Sequence, residues 1–232
     1  MNIELEIEKQ RLLLKDFPLN PNYPDGSDEK NPIRIYSDGV FDCFHYGHAR
    51  LFQKIKKMFK HVHLIIGVCL DSDIIQSKGM PIMNDQERRE SVTHCKWVDE
   101  VVEGPWVITE EYLDKIGAHY IAHDPEPYKY KNIDDLYGVF KEKKRFIATT
   151  RTDGISTTDI INKVVSNHED YIERALKKHT NINSLNLESF SYIKYKSIDV
   201  LSKISSFINE KANYVYEKDN SNKLVKEYLD SL

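Results

Sequence analysis

The run Val62-His63-Leu64-Ile65-Ile66-Gly67-Val68 is almost continuously apolar. A strand that is apolar on both of its alternating faces is buried on both, the condition of a parallel sheet covered by helices. Four more stretches read as strands: Ile33–Tyr36, Val98–Val102, His119–Ala122 and Arg145–Ala148. Helical signals fall between and after them. Ala49, Leu51, Phe52, Ile55, Met58 and Phe59 recur at helical spacing. Asn84, with Glu87 three residues on, forms a capping box for a helix running to about Cys95. Thr109-Glu110-Glu111 opens another that ends near Gly117, and Asp134–Lys143 reads as a further one. Ser156 N-caps a last helix, Thr157–His168. This alternation predicts an α/β fold, a Rossmann-like five-stranded parallel sheet with helices on both faces. In such sheets ligands bind beyond the carboxyl ends of the strands.

The flanks differ from this core. Residues 1–32 are expected to form a short amphipathic helix over 3–15 and then a linker rich in proline, asparagine and aspartate. Residues 33–170 are the expected catalytic domain, and 171–232 a C-terminal helical extension. Asn181–Ser184 breaks that extension before Ile193, Ile198, Leu201, Ile204, Ile208, Ala212 and Val215 keep one helical face. Glu4, Glu6, Glu8, Lys9 and Arg11 stud the N-terminus, so no signal peptide is expected there. A net charge of −4 argues against a nucleic-acid partner. The three cysteines, Cys43, Cys69 and Cys95, form no CxxC pair and read as small buried hydrophobes in a reducing compartment.

The chemistry concentrates between the first strand and its helix, in Asp38-Gly39-Val40-Phe41-Asp42-Cys43-Phe44-His45-Tyr46-Gly47-His48. The first turn of a helix carries unpaired N–H groups and a partial positive charge, which together bind phosphate. His45 and His48, one turn apart, would add side-chain donors, and Gly47 lets the backbone come close. Asp42 is expected to brace this loop rather than meet an anion. Four other stretches follow strands: Ser77-Lys78-Gly79-Met80, Gly104-Pro105-Trp106, His123-Asp124-Pro125-Glu126-Pro127-Tyr128 and Arg151-Thr152-Asp153-Gly154-Ile155-Ser156-Thr157-Thr158. The last combines an arginine fork, a glycine and hydroxyls at a helix N-terminus, a second phosphate site. Lys78 reads as a residue of a mobile, glycine-flanked loop that could close over a triphosphate.

These five motifs, in this order and at this spacing, resemble the catalytic domain of the cytidylyltransferase family, in its choline-phosphate branch, from about Ile33 to Leu176. The resemblance implies an HxGH nucleotidyltransferase that passes the cytidylyl group of CTP to phosphocholine, giving CDP-choline and pyrophosphate. It implies catalytic roles for His45, His48, Lys78 and Arg151. It also implies a CTP site that adds Gly39, Val40, Phe41, His123, Asp124, Tyr128, Thr152, Gly154, Ile155, Ser156 and Thr157. Asp38, Lys78, Trp106 and Tyr128 match the phosphocholine end. Mg²⁺ is expected through the CTP phosphates, with no metal site built by the chain alone. Cys95-Lys96-Trp97-Val98-Asp99 resembles the stretch through which family members form homodimers. Asp153 stands where the family usually has Glu, the loop before Trp106 is one residue shorter, and Pro125-Glu126 replaces an acidic–apolar pair. Residues 191–216 are a candidate for weak membrane-surface contact, and the expected location is the cytoplasm, the nucleus or a membrane periphery. The alternatives are the phosphoethanolamine and glycerol-phosphate branches, or an inactive regulatory homologue. Tyr137 is expected to pack in the core rather than to edge the site.

Overall fold

The computed structural model describes residues 3–171 and 174. The chain divides into two compact units, Met1–Ser166 and Asn167–Leu232. Most of the second unit, including the helical face expected over 193–215 and the stretch 191–216, lies outside the described residues.

In the first unit all five expected strands are present and parallel: β1 (Ile33–Gly39), β2 (Val62–Cys69), β3 (Glu100–Gly104), β4 (Tyr120–His123) and β5 (Phe146–Ala148). Their order in the sheet is β3-β2-β1-β4-β5. The chain therefore builds outward from β1 on one side and then crosses to the other, leaving a switch point between β1 and β4. The helices are α1 (Ile3–Leu12), α2 (Tyr46–Met58), α3 (Asp71–Ser77), α4 (Asp85–Thr93), α5 (Glu110–Lys115), α6 (Gly138–Glu142) and α7 (Thr157–Ser166).

Alternation along the strands sorts the core into two layers. Ile33, Ile35, Leu64, Ile66 and Val68 point to one face, where Phe52, Ile55 and Met58 of α2 and Val92 of α4 cover them. Tyr36, Ile65, Ile121 and Phe146 point to the other, under Leu113 of α5 and Phe140 of α6. Both faces are thus dry, which is why Val62–Val68 is apolar without alternation. Gly67 interrupts that run for a steric reason. A Cβ at this position would lie 1.9 Å from the Tyr36 hydroxyl oxygen.

Several elements depart from the expected bounds. β3 starts at Glu100 rather than Val98, because the Asp99 carboxylate accepts the Leu64 N–H (2.6 Å) and pairs with Lys56 (2.6 Å), which ends the turn there. The helix expected over Asp134–Lys143 shrinks to α6, because the Asp135 carboxylate accepts the N–H groups of Tyr128 (3.2 Å) and Tyr137 (3.1 Å) and holds those residues in a turn. Ser77 and Lys78 were expected on a loop. Instead α3 runs to Ser77, with Lys78 as its C-cap and Gly79 (φ +97°) turning the chain away. Cys69 and Cys95 are buried, but Cys43 is only half-buried, in the loop before α2. The N-terminal residues are packed on the sheet unit. Arg11 of α1 donates to the Lys57 and Met58 carbonyls of α2 (2.7 and 3.0 Å), and Asn20 donates to the Lys143 carbonyl (2.9 Å).

Candidate active site

A cleft of about 720 Å³ opens at the carboxyl ends of β1 and β4. That is enough for a nucleotide-sized ligand. Its floor is the loop from β1 to α2, shaped by Asp42. One Asp42 oxygen accepts the N–H groups of Cys43 (3.0 Å) and Met83 (2.9 Å), and the other accepts that of Ile82 (2.8 Å). Phe41 (φ +53°) and Cys43 (φ +46°) flank it in left-handed conformations. For residues with a Cβ this is a costly backbone state, tolerated where surrounding contacts hold it.

His45 is the N-cap of α2, and its Nδ1 accepts the Gly47 N–H (3.1 Å). His48 returns the arrangement, its Nδ1 accepting the His45 N–H (3.4 Å). Main-chain donors at both Nδ1 atoms assign each ring's proton to Nε2. The rings stack at 3.8 Å, and Nε2 of His45 is buried without a hydrogen-bond partner. A buried donor left unmatched costs stability, so its match is expected to come from a ligand. Burial lowers the His45 imidazole and pushes that of His48 down to about 4, with His45 adding repulsion. Both rings are therefore neutral donors at neutral pH.

The N-terminus of α7 faces this pair. Ser156 caps it, its Oγ accepting the Asp159 N–H (3.1 Å), and the Thr157 hydroxyl donates to the Asp42 carbonyl (3.0 Å). Gly47 makes the approach possible. A Cβ there would sit 2.7 Å from Cγ2 of Ile155 and 2.9 Å from the His45 ring. Two helix N-termini, α2 and α7, thus converge on one cleft with the imidazoles beside them, an arrangement suited to an anion and assembled from segments far apart in the chain. Arg151, largely exposed, reaches across the mouth to Asp124 (3.1 Å).

A smaller cavity adjoins the cleft and shares Asp38, Gly39, Val40, Lys78 and His123 with it. Cys69, Trp106, Tyr128, Leu136 and Tyr137 complete its wall. The Tyr137 hydroxyl donates to Asp38 (3.3 Å), and its ring stacks on His123 at 4.2 Å. Burial pushes the Asp38 carboxyl up, while His123 and the Tyr137 hydrogen bond pull it back. Burial and the Asp38 charge together push the Tyr137 hydroxyl far up, so it stays a donor. The Lys78 ammonium lies over two rings, 5.4 Å from the centre of Trp106 and 5.8 Å from that of Tyr128. Two aromatic faces meet one cation, and the Asp38 carboxylate lies on the wall of the same cavity, a cage suited to a cation.

Of the expected site residues, Gly39, Val40, Phe41, His45, His48, Lys78, His123, Asp124, Arg151, Thr152, Ile155, Ser156 and Thr157 line the larger cleft. Gly154 does not; it is exposed and turns the chain at φ +78°. Tyr128 lines the smaller cavity instead, with Trp106. Tyr137 packs in the core as expected, 5% exposed, but it also meets Asp38. Arg88 supports the site without any signal in the sequence. Fully buried, it donates to the carbonyls of Val40 (2.7 Å), Cys69 (2.8 Å) and Met83 (3.0 Å) and pairs with Asp71 (2.6 Å). It ties the loop after β1 to the end of β2. Nothing in the local sequence separates Arg88 from its half-buried neighbour Arg89.

The chain belongs to the cytidylyltransferase-like family, whose sequence model matches residues 36–163. It is 41% identical over 188 residues to the probable choline-phosphate cytidylyltransferase of Schizosaccharomyces pombe, an alignment covering 80% of this chain and 52% of that protein. It is 44% identical over 157 residues to choline-phosphate cytidylyltransferase 2 of Arabidopsis thaliana, covering 66% and 52%. The ethanolamine-phosphate cytidylyltransferase of Dictyostelium discoideum is 36% identical over 152 residues, covering 65% and 42%. The chain spans about half the length of the curated relatives it matches.

Proposed function

We propose that this chain transfers the cytidylyl group of CTP to phosphocholine, releasing pyrophosphate and CDP-choline. The observation that carries this reading is the cage of Asp38, Trp106 and Tyr128, already lying around an ammonium, beside a cleft with the donors for a triphosphate. A quaternary ammonium has no hydrogen to donate, so aromatic faces and a nearby carboxylate are what can hold it. The higher identity to the choline-phosphate relatives than to the ethanolamine-phosphate one supports the same choice.

In this mechanism a phosphate oxygen of phosphocholine attacks the α-phosphorus of CTP in line. The bond from that phosphorus to the bridging oxygen breaks, and pyrophosphate leaves with the electron pair. No covalent enzyme intermediate is needed, so the protein positions the reactants and stabilises the developing charge. His45 and His48 donate through Nε2 to phosphate oxygens. The N-terminus of α7 and Arg151 hold the triphosphate from the other side, once Arg151 leaves Asp124. Lys78 swings from the cage to bridge the two substrates' phosphates. Mg²⁺ would be carried by the triphosphate and would neutralise its charge, while Asp42 stays committed to backbone N–H groups.

The same reading extends to a homodimer through Cys95–Asp99 and the start of α2, to weak membrane-surface contact by residues 191–216, and to a cytoplasmic, nuclear or membrane-peripheral location. Among the described residues no helix is long and apolar enough to cross a membrane.

Pyrophosphate release from CTP, assayed with phosphocholine, phosphoethanolamine and glycerol phosphate in turn, tests the proposal. The expected result is a clear preference for phosphocholine in kcat/KM. Equal use of phosphoethanolamine would point to that branch, and no release with any acceptor would point to an inactive homologue.

A further inference from the structure

Lys54 of α2 is fully buried, and the proposed mechanism does not use it. Its ammonium donates to the carbonyl and the hydroxyl (2.9 Å) of Thr150, and the carboxylate of Glu6 on α1 lies 3.7 Å away. The other oxygen of Glu6 is held by Arg50 (2.8 Å). Gln10 of α1, also fully buried, accepts the Thr150 N–H (3.3 Å) while donating to the Met58 sulfur (2.9 Å). Every polar group of Thr150 is therefore engaged by α1 or α2. An ammonium is kept out of water only where such partners offset its lost hydration.

Thr150 lines the cleft and immediately precedes Arg151. At its far end the same segment is fastened by Thr157 to the Asp42 carbonyl. Residues 151–156 thus span two anchors, one on the phosphate loop and one on the buried network of Lys54, Glu6 and Gln10. We infer that Lys54, braced by the N-terminal helix through Glu6 and Gln10, is a positioning residue for the Arg151–Ser156 segment and thereby for the nucleotide triphosphate. This rests on the reading of that segment as the triphosphate holder. It makes α1, far from the motifs in sequence, part of the active site's support.

The test uses the full chain with Lys54→Met, which keeps an unbranched apolar stem, and Glu6→Gln, which keeps shape while removing the charge. CTP affinity is measured by titration calorimetry, the KM values for both substrates by pyrophosphate release, and folding by thermal denaturation. Lys54→Met is expected to weaken CTP binding by about tenfold, an effect of misplacement rather than of lost contact. Glu6→Gln should shift it by a smaller factor in the same direction, and both should leave the phosphocholine KM unchanged. Should Lys54→Met fail to fold, Glu6→Gln decides. A lower melting temperature with unchanged CTP affinity would make the network mere packing and overturn the inference. Wild-type protein that binds no CTP would overturn it together with the reading on which it rests.

Discussion

Lowering the pH from 7 to 5 is expected to destabilise the folded chain through His48. In the fold this imidazole titrates at about 4, held down first by burial and then by the neighbouring His45. In the unfolded chain it returns to roughly 6.5. The fold thus holds the neutral form, while the unfolded chain takes up a proton as soon as the pH drops below its own value. The contribution is complete above about 6.5 and lost progressively as the pH falls towards about 4. At about 1.36 kcal/mol per unit, the whole gap amounts to roughly 3 kcal/mol, of which about 2 is lost by pH 5. The assay is urea denaturation of wild type and His48→Asn at both pH values. Asparagine keeps a neutral donor and acceptor without titrating, so the difference between the two proteins isolates His48 and its repulsion of His45. Wild type should lose about 2 kcal/mol more than the variant between pH 7 and pH 5. Equal losses would refute the argument that the fold holds this ring neutral. A bound polyanion would oppose the shift, so CTP binding near pH 6 should take up protons, read from calorimetry in buffers of different ionisation enthalpy.

Other changes test other parts of the site. Gly47→Ala forces the Ile155 and His45 contacts apart, and turnover should fall on the order of 10²-fold, by the scale of a misplaced reacting group, with little loss of stability. Unchanged turnover would mean the two helix N-termini need not meet this closely. Arg88→Met takes the partner from one Asp71 oxygen, the other keeping the Asp85 N–H, and from three carbonyls, and urea denaturation should show a loss of about 3 kcal/mol. Trp106→Ala should raise the phosphocholine KM strongly and leave the CTP KM nearly alone; an unchanged phosphocholine KM would remove Trp106 from the cage. Lys78→Met empties the cage of its own cation. Free choline, monitored by tryptophan fluorescence, should then bind about threefold to tenfold more tightly even as turnover collapses. Weaker choline binding would show that Lys78 does not compete for that space.

Much of this was legible residue by residue, because the signals are local. The apolar run at Val62–Val68, the helical spacing after His48, the Asn84–Glu87 capping box and the Ser156 cap each depend on neighbours within one or two turns. The bracing role of Asp42, too, is readable from its place in the loop. Element bounds failed where a distant or side-chain partner intervened, as when Asp99 delayed β3 and Asp135 cut short the helix before β5.

Local pattern alone carries five parallel strands, helices on both faces, and the placing of the chemical motifs after strands, except that Lys78 ends α3. Tertiary structure decided which motifs meet. Strand order places β1 between β2 and β4, and that adjacency brings the Tyr137 hydroxyl to Asp38 across 99 residues and Lys54 to Thr150 across 96. A buried arginine or lysine has the same letter as an exposed one, so Arg88 and Lys54 could not be told from surface charges beforehand. Gly47 reads as letting the backbone come close to a neighbour, and only the fold shows that the neighbours are Ile155 and the His45 ring. The physical reason is common to all these cases. Periodicity reports which side of an element is dry, while the partner of a buried polar group is set by packing between elements far apart in the chain.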